Sequence, residues 1–188
     1  MNPADDFSKL ANFGTGSRYE LILKSWNAAG SSGKRTIQVR VFSTAGGSWI
    51  DEQFGADANN PQIAAWNEDP DHDGVNNLLE RAFNLSPLQP GAATLITGTG
   101  TTGLPNIRST GSGASRRLKI EYLRRKSSTN PGLSYTPQFL SELGTASQDF
   151  TGPETVQSID SVWERVTVDD TTTGEPKRFG RVRVVTVQ

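Results

Sequence analysis

Residues 69–80 hold the most specific pattern of chemically active side chains in this sequence. Aspartates occupy positions 1, 3 and 5 of this twelve-residue stretch, glycine occupies position 6, asparagine position 9 and glutamate position 12. Loops of this length that bind calcium place their oxygen ligands at the same spacing. The predicted metal ligands are Asp69, Asp71, Asp73, Asn77 and Glu80, together with the main-chain carbonyl of Val75 at position 7.

Calcium is the predicted ion because every ligand is a hard oxygen and because the acidic side chains are crowded. Residues 44–90 contain eight acidic residues and one basic residue, whereas the segments on either side have a small excess of positive charge. Carboxylates that converge without a cation repel one another. A crowded oxygen shell suits calcium better than magnesium, which demands near-ideal octahedral geometry. The alternative is a solvated acidic turn at a helix N-terminus, where aspartates are also favoured.

Two departures from the two-helix EF-hand indicate an unpaired loop. Position 8 of that motif usually has a branched apolar residue that contacts a second loop, but here it is Asn76. Asn67 and Pro70 also interrupt the helix that would precede the loop. The pattern is more similar to the loops of thrombospondin type 3 and dockerin modules, although a dockerin has two loops and this chain has one. We expect His72, at position 4, on the surface rather than among the ligands.

The elements that must position this loop are predicted to be short helices within residues 45–90. Ser48 can cap a helix that Gly55 ends, and Asn60 followed by proline can begin another. After the loop, apolar residues recur at helical spacing as far as Pro87, and we expect them to face an aromatic cluster. The apolar residues are Leu78, Leu79, Ala82 and Phe83, and the expected cluster is Trp49, Phe54 and Trp66.

Residues 1–44 contain two predicted strands, Arg18–Trp26 and Arg35–Phe42, joined by a loop rich in turn residues. Two strands cannot form an independent domain. Through the alternation of Tyr19, Leu21 and Leu23, this stretch resembles the terminal hairpin of a truncated bacterial immunoglobulin-like module.

Residues 91–188 are predicted to form a C-terminal antiparallel β-sandwich, because short strand patterns alternate with polar turns. The predicted strands are Ala93–Ile96, Arg117–Leu123, Leu133–Phe139, Thr155–Ile159, Val162–Val168 and Phe179–Val187. The interval 140–153 can hold one more irregular strand. The whole chain is therefore predicted to be mainly β, with antiparallel β-sandwiches and a short helical calcium-binding linker segment.

The composition argues against several kinds of chemistry. With one histidine and no cysteine, the sequence offers no convincing Ser-His-Asp or Cys-His constellation and no thiolate metal site. The glycines from Gly98 to Gly103 match a nucleotide-binding spacing, but Leu104 and Pro105 follow instead of a helix. No apolar run is long enough to span a membrane. We therefore expect no enzyme activity, no nucleotide site and no membrane insertion.

Two further groups of side chains leave alternatives open. Six basic residues between Arg116 and Lys126 could bind a polyanion, but we expect them to form a solvated strand face and turn, with no nucleic-acid partner. The tryptophans could form a carbohydrate platform. Trp26 and Trp163 lie on predicted strands, where a buried position is the expected one.

The order of these elements resembles the carboxy-terminal region of large exported bacterial proteins. The shared pattern is an aromatic-bearing short helix, the loop 69–80 continuing to Pro87, and a sandwich near the end. The resemblance implies a secreted or cell-surface location, with an export signal upstream of this sequence. It also implies a non-catalytic structural or adhesive module in which calcium rigidifies the junction between β modules, with a polysaccharide or a cell-surface protein as partner. The alternative is a carbohydrate-binding module attached to a polysaccharide-degrading enzyme.

Overall fold

The computed structural model describes residues 18–26, 32–40, 45–142 and 148–187. Side chains are described for residues 46–142 and 149–187. The chain divides into two compact units, Met1–Ser48 and Trp49–Gln188. The second unit contains both the acidic loop and the seven strands that follow it.

In the first unit, two nine-residue strands pair in antiparallel register. Strand β1 spans Arg18–Trp26, as predicted, and β2 spans Ser32–Arg40, so it begins before the predicted strand Arg35–Phe42. Leu21 lies opposite Ile37 in this ladder. Phe42, the predicted end of the second strand, lies outside the described residues.

Three short α-helices and seven strands follow. The helices are α1 (Ala45–Phe54), α2 (Pro61–Ala64) and α3 (Asn77–Phe83). Single 3-10 turns occupy Gly55–Asn59, Gly113–Ser115 and Ser127–Thr129. The strands are β3 (Asn106–Thr110), β4 (Arg117–Arg125), β5 (Leu133–Leu140), β6 (Gln148–Asp149), β7 (Thr155–Ser158), β8 (Trp163–Asp169) and β9 (Phe179–Thr186).

Asparagine side chains set the limits of the helices that flank the acidic loop. Asn60 caps α2 by accepting a hydrogen bond from the main-chain N–H of Gln62 at 3.1 Å. Asn76 caps α3 in the same way through the N–H of Leu79, also at 3.1 Å. The last turn of α3 ends at Asn84, which adopts the left-handed conformation with φ of 59°. The helix therefore stops before the predicted limit at Pro87, because a left-handed residue satisfies its last carbonyls.

The seven strands form two antiparallel sheets, which confirms the prediction of a mainly β fold. One sheet has the order β3-β4-β8-β7 and the other the order β6-β5-β9. The predicted strand Ala93–Ile96 is wrong: that segment makes only an isolated bridge between Thr94 and Leu104. Strand β3 was not predicted, because Ile107 is its only large apolar residue and its other residues are polar.

Both sheets and helix α3 contribute to one buried cluster. Its members are Ala82, Phe83, Ile120, Tyr122, Leu133, Phe139, Val166, Val168 and Val184. The ring of Tyr135 bridges within it, since its centroid lies 6.2 Å from the rings of both Phe83 and Tyr122. Helix α3 is thus fastened to the sheets by its own apolar face.

The predicted contact between α3 and the aromatic cluster is corrected by this packing. Trp49, Phe54 and Ala64 form a separate cluster, with Trp66 stacked on Trp49 at 5.8 Å. The apolar residues of α3 instead contact the sheets, and the residue of α3 that contacts Trp66 is Arg81, whose guanidinium lies over the ring at 5.5 Å.

Two buried ion pairs hold irregular segments against the sheets. Glu121 on β4 pairs with Arg165 on β8 at 3.2 Å, and Arg165 donates hydrogen bonds to the carbonyls of Gly98 and Gly100. After β8, Asp170 receives two hydrogen bonds from Arg178, at 2.7 and 2.8 Å. Because a buried charge is costly unless it is paired, the first pair holds the turn of Gly98 and Gly100 against its strands, and the second fixes the segment between β8 and β9.

We predict a large loss of stability for Asp170→Ala and a small one for Asp169→Ala. Asp170 is 2 % exposed, and its removal leaves the Arg178 guanidinium without its carboxylate partner. The free energy of unfolding should therefore fall by about 3–5 kcal/mol. The side chain of the neighbouring Asp169 is 42 % exposed and pairs with Lys119 at 3.3 Å, so its removal should cost about 0–1 kcal/mol. Urea denaturation of the two variants measures the difference, and equal losses would contradict it.

Candidate metal centre

The acidic loop brings three carboxylates to one point. One oxygen from each of Asp69, Asp71 and Asp73 lies within 4.8 Å of the other two. Two residues in the left-handed region make the turn tight enough, His72 with φ of 61° and Gly74 with φ of 89°. Gly74 suits its position because residues with a Cβ rarely adopt such a backbone conformation.

Main-chain N–H groups of the loop fix the orientation of each carboxylate. Gly74 donates to Asp69 Oδ2 at 2.9 Å, Asp73 donates to Asp71 Oδ1 at 3.2 Å, and Val75 donates to Asp73 Oδ1 at 2.9 Å. The remaining oxygens of the first two aspartates, Asp69 Oδ1 and Asp71 Oδ2, are buried and accept no hydrogen bond. Two carboxylate oxygens of the loop are therefore buried without a hydrogen-bond donor.

Glu80, in the first turn of α3, is the fourth predicted acidic ligand. Its side chain is fully buried, and neither of its oxygens has a hydrogen-bond partner. Burial, together with the charges of Asp71, Asp73 and Asp69, raises the pKa of Glu80 to about 8. The carboxylates that lie within 4.8 Å of one another are those of the three aspartates and do not include Glu80, so the structure brings together three of the four predicted acidic ligands.

Asn77 lies at position 9 of the loop and is fully buried. Its amide nitrogen donates to the main-chain carbonyls of Ile63 and Ala65, at 2.8 and 2.7 Å. These two bonds fix which way the amide points and leave Oδ1 without a partner. Val75, at position 7, is also buried, and the ligand role of its carbonyl stays a prediction.

The unpaired oxygens fit a hard cation. Within the described part of the chain, all five buried side-chain oxygens that lack a hydrogen bond belong to predicted ligands: Asp69, Asp71, Asn77 and both oxygens of Glu80. Buried polar atoms are otherwise almost always satisfied in folded proteins. A divalent ion bound by oxygens would supply the missing partner for each.

The alternative of a simple helix-capping turn explains less. Aspartates do favour helix N-termini, but the side chain that caps α3 is Asn76, which accepts from Leu79. The three aspartates accept instead from N–H groups of the loop itself and of Gly91, and they leave two buried oxygens unused.

Contacts on both sides attach the loop to its surroundings. On the side that precedes the loop, Asn77 N–H donates to the carbonyl of Glu68 at 2.9 Å. On the side that follows α3, Gly91 N–H donates to Asp73 Oδ2 at 2.8 Å. Gly91 was not among the predicted site residues, because no local pattern marks a main-chain donor that lies 18 residues away.

Two features of the sequence could suggest other chemistry, namely the single histidine and the glycine-rich turn. His72 is exposed, as expected of position 4. In the glycine-rich turn, Gly98 N–H donates to Glu121 Oε1 at 2.6 Å, and Arg165 binds the carbonyls of Gly98 and Gly100. A side chain at Gly103 would lie 2.7 Å from the main-chain nitrogen of Leu95. These glycines therefore serve packing of the turn on the sheet.

Acidic and carbonyl groups engage the basic residues of strand β4 and its flanks. Arg117 and Lys119 both pair with Asp169. Arg124 forms two shorter ion pairs, with Glu164 at 2.7 Å and with Glu154 at 2.8 Å. Arg117, Lys119 and Arg124 are therefore neutralised in place, which reduces the positive potential that this face of the strand offers to a polyanion.

The tryptophans with described side chains are buried or half-buried. Trp163 is 7 % exposed, and the guanidinium of Arg125 covers its ring at 4.5 Å. Trp49 and Trp66 stack on each other in the small cluster beside α1. The side chain of Trp26 lies outside those described.

Comparisons with known proteins give no family for this chain. Neither the family models nor the curated proteins nor the solved structures include a match. Among the described residues, no helix is both long enough and apolar enough to cross a membrane.

We predict that the calcium-free protein loses stability as the pH rises. Glu80 in the unfolded chain ionises near its ordinary pKa of 4.5, whereas in the fold its pKa is about 8. The contribution of Glu80 to the free energy of unfolding is therefore largest below pH 4.5. It falls between pH 4.5 and about 8, and above that pH it no longer changes. The fall should reach at most about 1.4 kcal/mol per pH unit.

Urea denaturation in EDTA across this pH range tests the prediction. Glu80→Gln should flatten the fall, because the amide cannot ionise. Glu175→Gln, which changes an exposed carboxylate far along the chain, should retain it. A wild-type stability that is constant or rises across the range would contradict the assignment of Glu80.

Proposed function

We propose that this chain is a non-catalytic, calcium-binding structural or adhesive module of a secreted or cell-surface protein. One calcium ion would be held by Asp69, Asp71, Asp73, Asn77, Glu80 and the carbonyl of Val75. The observation that supports this most directly is the set of five buried oxygens, all on predicted ligands, that have no hydrogen-bond donor.

Electrostatics explain why an ion is required. Three carboxylates, those of Asp69, Asp71 and Asp73, face one small volume, and desolvation together with their charges raises the pKa of the fully buried Glu80. Mutual repulsion and desolvation both oppose folding of this segment unless positive charge is present. A bound divalent cation attracts every one of these carboxylates. The residues that destabilise the empty loop through their mutual repulsion would therefore stabilise the loaded loop.

The ligand set favours calcium over other divalent ions. Every candidate ligand is an oxygen, which excludes a preference for soft or imidazole-binding metals. Asp69 and Asp71 each have one unpaired buried oxygen, whereas Glu80 has two and can bind in bidentate fashion. Such a shell of six or more oxygens exceeds what magnesium normally accepts from protein side chains.

The proposed role is mechanical, because the loop joins elements on both sides. Asn77 binds the carbonyls of Ile63 and Ala65 before the loop, and Asp73 binds Gly91 after α3. The next residues of α3, Ala82 and Phe83, belong to the cluster shared with both sheets. An ion that orders the loop would therefore stiffen the junction between the helical segment and the β region.

We further propose that the two sheets pack as a β-sandwich with α3 at one side. Strands β4 and β8 of one sheet and β5 and β9 of the other contribute to the same buried cluster. Gly180 on β9 lies so close to the other sheet that an added Cβ would meet Ile120 at 3.1 Å and Ile107 at 3.3 Å. Such close approach of facing strands is typical of sheet-on-sheet packing.

The carbohydrate-binding alternative lacks a supporting observation among the described side chains. A platform needs exposed aromatic rings, whereas the large exposed apolar residues found there are aliphatic: Leu88, Ile96, Ile107, Val156, Val185 and Val187. Burial of Trp163 is the arrangement expected of a structural module.

Calorimetric titration of chelator-treated protein with calcium tests the proposal. We expect one site with a dissociation constant of about 10⁻⁴–10⁻³ M or somewhat tighter, as for unpaired extracellular loops. Asp71→Asn and Glu80→Gln should each weaken binding about tenfold or more, because each removes a charged ligand. Asp57→Asn, an exposed acid outside the loop, should leave the affinity unchanged.

Thermal denaturation provides the second readout. Calcium at ten times its dissociation constant should stabilise the protein by about 1.4 kcal/mol through mass action, and magnesium at the same concentration should do less. A melting temperature that neither calcium nor EDTA changes would overturn the proposed metal centre.

A further inference from the structure

A second site is suggested by an arginine that is buried without an acidic partner. Arg81, in the last turn of α3, is 2 % exposed. Its guanidinium donates to the carbonyl of Pro131 at 2.5 Å and lies over the ring of Trp66. Its Nε atom is buried and has no hydrogen-bond partner.

Arg125, at the end of β4, places a second cation beside the first. Its Nε donates to the main-chain carbonyl of Arg81 at 3.1 Å, and its guanidinium covers Trp163 at 4.5 Å. Within the described part of the chain, no salt bridge joins Arg81 or Arg125 to a carboxylate. Each of the two positive charges lowers its own cost of burial through carbonyls and rings, and the acidic group that acts on Arg125 is Glu52, which is exposed and forms no salt bridge with it.

This pair differs from the other largely buried arginines of the unit. Arg165 has Glu121 at 3.2 Å, and Arg178 has Asp170 at 2.7 Å. Arg81 has only a carbonyl and an aromatic ring as partners. Because buried charges are normally paired with an opposite charge, an anion is the group that this place lacks.

A cleft beside the pair has room for such an anion. Its volume is about 510 Å³, within the range of small-molecule sites. Arg125 lines the cleft, and so does Pro131, whose carbonyl binds Arg81. Side chains with hydroxyl or amide groups surround it: Ser127, Asn130, Ser134 and Tyr135.

The charge of the cleft is positive on balance. Arg124 and Glu164 also line it, but these two side chains pair with each other at 2.7 Å. That pair contributes no net charge, which leaves Arg125 as the lining residue whose charge has no salt-bridge partner, and Arg81 bonds to the lining residue Pro131. The neutral hydroxyl and amide groups can hydrogen-bond a polar ligand without adding charge.

We infer that this cleft binds a carboxylate-bearing small molecule of about the size of one or two sugar rings. The carboxylate would be held by the guanidinium of Arg125 and attracted by Arg81, and the hydroxyl groups of the ligand would be held by Asn130 and the serines. Charge-assisted hydrogen bonds of guanidinium to carboxylate are among the strongest in proteins. The site is separate from the acidic loop, so the inference does not depend on calcium.

The test is a titration of the calcium-loaded protein followed by NMR or calorimetry. D-glucuronate is the probe, D-glucose is its neutral match, and N-acetyl-L-glutamate presents the same carboxylate on an amino acid. We expect glucuronate to bind with a dissociation constant of about a millimolar and glucose to show no binding. Binding of N-acetyl-L-glutamate with equal affinity would assign recognition to the carboxylate alone, whereas weaker binding would add the sugar hydroxyls.

Substitutions then locate the bound carboxylate. Arg125→Gln should weaken glucuronate binding about tenfold or more, because a charge-assisted bond is lost. Arg117→Gln, which changes an exposed arginine on the same strand, should have no effect. Asn130 is exposed and adopts the left-handed conformation, which aspartate tolerates, so Asn130→Asp adds a negative charge to the cleft without disturbing the fold.

Asn130→Asp should also weaken binding of glucuronate, and its circular dichroism spectrum should match that of the wild type. This variant keeps the test decisive if Arg125→Gln fails to fold. No binding of either carboxylate, or equal binding of glucuronate by wild type and by Asn130→Asp, would overturn the inference.

Discussion

The fully buried carboxylate of Glu80, whose pKa is raised by burial and by the charges of three aspartates, is the constraint on which the arrangement of this unit depends. Its two oxygens accept no hydrogen bond. Nothing in the local main chain compensates for this, since the N–H groups of the loop bind the aspartates instead. A buried carboxylate without a donor is costly in its charged form, so Glu80 favours either protonation or a positive charge beside it.

Helix α3 transmits this constraint to the rest of the unit, because consecutive residues of one short helix face different partners. Glu80 interacts electrostatically with the acidic loop, Arg81 contacts Trp66 and Pro131, and Phe83 packs into the cluster of both sheets. Seven residues are too few to form a stable helix alone. The helix is therefore held by its contacts, and a change at any one of them affects the others.

The acidic loop could be predicted from the sequence because its candidate ligands lie within twelve residues, so spacing alone brings three of them together. The helix cap at Asn60 and strand β1 could be predicted for the same reason, since each depends on neighbouring residues. The contacts of Gly91 with Asp73 and of Arg81 with Pro131 were not, because they join residues that are distant in sequence. The predicted strand Ala93–Ile96 failed because its pairing with Leu104 is limited to a single bridge, and the length of a pairing partner cannot be seen in a local apolar run.

The strands at the borders of the two sheets have a consequence for solubility. Strand β9 borders its sheet over eight residues and exposes Arg181 and Arg183 between its valines. The other border strands β3, β6 and β7 have five residues or fewer. Edge strands that are charged or very short discourage two molecules from pairing their sheets edge to edge. A module built this way can be linked in tandem at high local concentration with little tendency to form intermolecular sheets.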